Sequence, residues 1–162
     1  MMQSNKLPVA SREMSACLAA AGREQVLSTA ALLTQGMTVL PLLPAESGLA
    51  LLQWTDAVLH QPFFLGEVPM ARAALALINP LGERAEGAAV LMADDTELAE
   101  ALARLDAISA RRWPGAEQVD ALAQSGALAR ARLRTERQAM LRRTRVDFAL
   151  LTQADDDGED VA

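Results

Sequence analysis

The side chains in this 162-residue sequence that could do chemistry are few, and the densest set is cationic. Seven arginines fall within residues 130–145, and Arg130, Arg134 and Arg137 lie four and three residues apart, on one flank of an apolar helical stripe. Like charges at that spacing weaken an isolated helix by roughly 0.2–0.5 kcal/mol per pair. Glu136 is the single acid between Ala121 and Arg145, so this helix cannot neutralise itself. Counter-charge must come from phosphate groups, a partner protein's carboxylates or the chain's own acidic end; the plainer alternative is a solvated face whose arginine stems cover apolar surface.

A second candidate is Phe63-Phe64-Leu65-Gly66-Glu67-Val68, which places a glycine and a carboxylate in an apolar run. A buried glutamate there could serve as a tuned acid or base. More often such a residue marks a strand edge or an interface, so Phe63, Gly66 and Glu67 are read as partner contacts. His60 beside Pro62 reads as a loop residue rather than a general base, and Cys17 as packing rather than a nucleophile. Ser15 and Ser28 lack the local context of a nucleophile. One His and one Cys fall short of a zinc site, and the scattered glycines form neither GxGxxG nor GxxxxGK[ST]. No catalytic residue, metal site or cofactor site is assigned to this chain alone.

Composition bounds the rest. Net charge is −6, with ten of the fifteen basic residues between Arg104 and Arg145 and six acids but no base from Asp147 onward. Without a global positive field or aromatic residues interleaved with the arginines, nucleic acid is not the expected partner. Half the residues are apolar, yet there are only three Phe, two Trp and no Tyr, which implies an aliphatic, alanine-rich core. A single cysteine suits a reducing cytoplasm. Residues 25–45 carry no charge, but Pro41, Pro44 and Gly36 fit a helix followed by a strand better than a membrane span.

These groups must be held by an α+β domain with a largely antiparallel sheet of about four strands, two N-terminal helices and two C-terminal ones. Residues 1–10 read as a flexible leader, 11–152 as one domain and 153–162 as an acidic, disordered tail. Helices are expected over 11–21, capped by Ser11, and 23–35, stopped by Gly36. Strands follow at 37–43 and 49–54, joined as a hairpin by the turn cluster 44–48, then a connecting loop over 55–61. Residues 70–78 have helical propensity, but Pro69 and the turn at Asn79-Pro80-Leu81-Gly82 favour a long strand paired with 87–92. Asp94 is a good N-cap for a helix carrying Leu98, Leu102, Leu105 and Ile108 on one stripe. Trp113-Pro114-Gly115 ends that helix, and a last one runs from 117 to about 144, either continuous or interrupted near Ser125-Gly126.

The stretches ESGLALLQ (46–53), FFLGEVPMARAALAL (63–77), AEALARLDAI (99–108) and above all TRVDFALL (144–151) occur in the order of the PhnG family, a subunit of the bacterial phosphonate carbon–phosphorus lyase system, which the chain resembles over most of 11–151. That resemblance implies a subunit of a multi-subunit transferase, working with PhnI-, PhnH-, PhnJ- and PhnL-like proteins in a hetero-oligomer. The complex displaces adenine from ATP with an alkylphosphonate; ATP is its substrate. It implies no catalytic motif on this subunit, whose part is scaffold and interface. Arg145, Asp147 and Phe148 of the last motif then read as docking residues beside Arg130, Arg134 and Arg137. The alternative is a non-enzymatic adaptor or regulator that binds a protein through the arginine helix.

Overall fold

Alanine and leucine at helical and strand spacing decide where this chain buries its core. The computed structural model describes residues 13–143. In order, they form α1 (Met14–Ala20), α2 (Arg23–Leu33), β1 (Thr38–Thr55), β2 (Pro62–Ile78), β3 (Arg84–Leu91), α3 (Thr96–Ala110) and α4 (Ala116–Arg143). The architecture is α+β, with two helices before an antiparallel sheet of order β1-β2-β3 and two after it.

Among the described residues the sheet has three strands rather than four, and the reason is local. The expected turn at 44–48 does not reverse the chain. It is absorbed into β1 as register shifts between Pro41 and Leu43 and between Leu43 and Glu46, so 37–43 and 49–54 lie on one long strand and form no hairpin with each other. Bulges accommodate turn-type residues without ending a ladder. Both segments pair instead with β2, which includes the run at 70–78, a strand as expected. The ladder from β2 to β3 runs from Ile78↔Arg84 to Ala71↔Leu91, across the expected turn.

One face of this sheet is closed by α3. Ala71, Ala73, Leu75 and Leu77 of β2 and Ala85 and Ala89 of β3 are buried at alternate positions, as a strand with one covered face requires. The expected stripe of α3 is in place: Leu102, Leu105 and Ile108 are fully buried and Leu98 nearly so. A Cβ on Gly87 would lie 2.1 Å from the Ala103 carbonyl oxygen, so this glycine lets α3 and β3 approach closely. The outer edge of β3 is also tied to α3, because the Ala88 N–H donates to Asp106 Oδ2 at 3.1 Å.

The start of α3 is capped one residue later than expected. Asp95, not Asp94, is the N-cap, and its carboxylate accepts from the Leu98 N–H at 2.9 Å. Arg23 at the start of α2 grips the same carboxylate at 2.7 Å and also pairs with Glu97. The helix α4 is not interrupted near Ser125-Gly126. A Cβ on Gly126 would lie 1.8 Å from the Cys17 carbonyl oxygen, so the glycine serves close packing on α1 and not a break.

The chain forms two units, Met1–Arg130 and Ala131–Ala162. The described part of the second, 131–143, is helical and exposed throughout. Ser11, the expected cap of the first helix, lies outside the described residues, and α1 begins at Met14 after Glu13 with no side-chain cap. No helix among the described residues is long and apolar enough to cross a membrane.

Candidate functional site: the exposed hairpin arm

Residues 49–55 and 62–69 pair beyond the point where β3 ends, so here β1 and β2 form a two-stranded ribbon with no third strand beside it among the described residues. The register sets Leu49 against Pro69, Leu51 against Glu67, Leu52 against Gly66, Gln53 against Phe64 and Trp54 against Phe63. The expected loop at 55–61 is shorter, because Thr55 belongs to β1. The turn at 56–61 is built by Asp56, whose carboxylate accepts from the Leu59 N–H at 2.6 Å and whose carbonyl accepts from the His60 N–H. His60 is therefore a turn residue, with φ of 53°.

Phe63, Gly66 and Glu67 all lie on this arm, and the structure brings them together on one strand. Gly66 sits beside a register shift with φ of 148°, a conformation side-chain-bearing residues rarely adopt, so the irregularity in the ladder depends on it. Glu67 is exposed and makes no side-chain hydrogen bond or ion pair among the described residues, so it is not the buried acid that a tuned general base requires. Reading the sequence segment by segment misses Trp54 and Phe64 as site residues. Trp54 is 58% exposed, Phe64 63% and Phe63 44%. The signal was present: three of the chain's five aromatic residues fall within 54–64.

The arginines are placed differently. Arg130 is half-buried and donates to Sγ of Cys17 at 3.4 Å, and Cys17 itself is buried in the core. Arg134 and Arg137 are exposed on the second unit and form no ion pair among the described residues. Arg145, Asp147 and Phe148 lie outside the described residues.

Elsewhere the charged groups answer one another. A cleft of about 530 Å³ between α2 and α3 is lined by Leu27, Ser28, Ala31, Glu97, Glu100 and Arg104. Arg104 pairs with Glu100 at 2.5 Å and reaches the buried Thr34 hydroxyl at 3.4 Å, while Glu97 is taken by Arg23. The Arg23 guanidinium, followed by the Leu98 N–H, holds the Asp95 carboxyl below the usual carboxylate range. Neither glutamate is left as an unpaired acid or base in the cleft. Among the described residues, no group of three or more His, Cys, Asp or Glu could hold a metal ion.

The geometry is that of a small core carrying an apolar projection, with Arg23 joining α2 to the start of α3 through Asp95 and Glu97. Compared with known families, the chain matches the model described as "Phosphonate metabolism protein PhnG" over residues 10–153. A comparison with curated proteins found no match.

Proposed function

The chain belongs to the PhnG family of phosphonate metabolism, with a match covering most of its length, and from that premise we propose that it is a subunit of the phosphonate C–P lyase core complex. In this reading the complex joins an alkylphosphonate, such as methylphosphonate, to the ribose of ATP and releases adenine. A phosphonate oxygen forms a bond to the anomeric carbon as the bond from that carbon to the adenine nitrogen breaks. The product is a ribose 1-alkylphosphonate 5-triphosphate. Such a step needs an acid to assist the departing base and a site that holds the nucleophile in line. Those groups are assigned to partner subunits, PhnI-, PhnH-, PhnJ- and PhnL-like, with this chain acting in the cytoplasm as scaffold and interface. ATP enters as substrate of the assembly, and this chain by itself holds no cofactor.

The observation that carries the reading is the distribution of side chains. The charged groups of the α2–α3 cleft are matched internally, whereas large apolar groups gather on the exposed arm. Interfaces are where exposed aromatic residues are concentrated. The experiment is co-expression with the candidate partners and measurement of adenine release from ATP and methylphosphonate. Release is expected only when this subunit is present; unchanged release on its omission would refute the role. Arg145→Ala with Phe148→Ala is expected to weaken assembly on size-exclusion chromatography, and intact assembly would remove those two residues from the interface.

A further inference from the structure

Nine of the twenty large hydrophobic side chains that stand exposed among the described residues fall within 49–65. Their exposed surface, both faces together, is on the order of 1,000 Å², comparable to one partner's share of a standard interface. The apolar groups do not keep to one side. Alternation and register put Leu52, Trp54 and Phe63 on one face of the ribbon and Leu49, Leu51 and Phe64 on the other. A ribbon meant to lie flat on a partner would alternate apolar and polar residues. Apolar residues on both faces are the pattern of strands covered from both sides.

The charges narrow the occupant further. Residues 49–69 contain two carboxylates, Asp56 and Glu67, and no Lys or Arg. Asp56 is engaged in the turn, and Glu67 has no cation of its own among the described residues. A second copy of the arm would bring no lysine or arginine to face Glu67 and would cover one face at most. The backbone agrees with burial by another chain. Lower on β1, Pro41 and Pro44 occupy the edge strand, where missing N–H groups discourage pairing, but 49–55 and 63–68 contain no proline.

We propose that residues 49–69 insert as a two-sided ribbon into an apolar cleft of a different protein subunit, one that encloses both faces and places a lysine or arginine opposite Glu67. This rests on the reading of the chain as a complex subunit and specifies how it docks. Trp54 and Phe64 act as the anchors, one on each face, as buried aromatic residues commonly do in protein interfaces.

The test uses the full-length chain titrated into the remaining subunits of the phosphonate complex, co-expressed without it. Trp54→Ser with Phe64→Ser is expected to weaken binding at least about 30-fold, with the melting temperature of the isolated chain unchanged. Glu67→Lys is expected to weaken it about tenfold, and Leu32→Ser, an exposed site on α2, to leave it unchanged. Trp113 is already buried, so the part of a blue shift of indole emission on binding that a Trp54→Phe variant lacks reports Trp54. Should the double variant unfold, Glu67→Lys and the Trp54 emission decide the matter. If wild type binds and the double variant binds within twofold of it, the docking mode is overturned and the complex reading stands. A chain that self-associates through the arm, made monomeric by the double variant, overturns it in favour of a second copy. A wild-type chain that binds none of the subunits removes the complex reading and the docking mode together.

Discussion

The same two strands, β1 and β2, behave as two different materials along their length. From Ala71 to Ile78, β2 is the middle strand of a sheet, with Ala71, Ala73, Leu75 and Leu77 buried beneath α3. From Pro62 to Pro69 it belongs to an isolated ribbon with large apolar side chains exposed on both faces. The ladder continues across a change in purpose. Packing against α3 holds the lower half in place, and the upper half continues its ladder beyond the end of β3. A fold can thus carry residues selected for something outside it, provided the strands are anchored elsewhere.

This contrast can be broken at the core. Gly87→Val should be the most damaging single change, costing more than about 3 kcal/mol, since over-packing against backbone is less easily relieved than against flexible side chains. The contact at stake is with the Ala103 carbonyl oxygen. Chemical denaturation of the purified variant measures it. Leu102→Ala, removing a fully buried side chain, should cost about 2–5 kcal/mol in the same assay. Asp95→Ala should cost about 1 kcal/mol through loss of the cap. Because the folded carboxyl of Asp95 titrates below its unfolded value, its contribution is complete above about pH 4 and is lost as pH falls through the lowered folded value. The stability gap between wild type and Asp95→Asn should therefore narrow on acidification below about pH 4. Leu51→Thr on the arm should change stability by less than about 0.5 kcal/mol. A large loss there would mean that the ribbon is part of the folding core after all.

Legibility followed the same division. The stripe of α3 was readable because one-sided burial writes a period into the sequence, whereas the strand at 70–78 and the turn after it were readable from Pro69 and the turn residues Asn79-Pro80-Leu81-Gly82. The long β1 was not, because Pro44-Ala45-Glu46-Ser47-Gly48 has the composition of a turn. Glu46 nonetheless stays in the ladder opposite Arg72, and the two are salt-bridged. Asp94 and Asp95 compete for one cap, and only the carboxylate within reach of both Leu98 and Arg23 takes it. Gly126 looked like a helix breaker because sequence cannot show that Cys17 of α1 packs directly against it. On the arm, Phe63, Gly66 and Glu67 were visible as an odd apolar segment. Trp54 and Phe64 joined them only once the register set Trp54 against Phe63 and Phe64 against Gln53.

The turn at 56–61 closes the ribbon far along the ladder from the buried half of β2, and the bonds described for it, between Asp56 and Leu59, His60 and Gln61, are its own. Such a tip is a natural place for a protease to nick. Cleavage there would leave the sheet ladder and the Arg23–Asp95 pairing to hold the fragments together. In the proposed docking mode the bond after Leu59 would be cut faster in the free chain than in an assembled one, so its cleavage would time occupancy without any label.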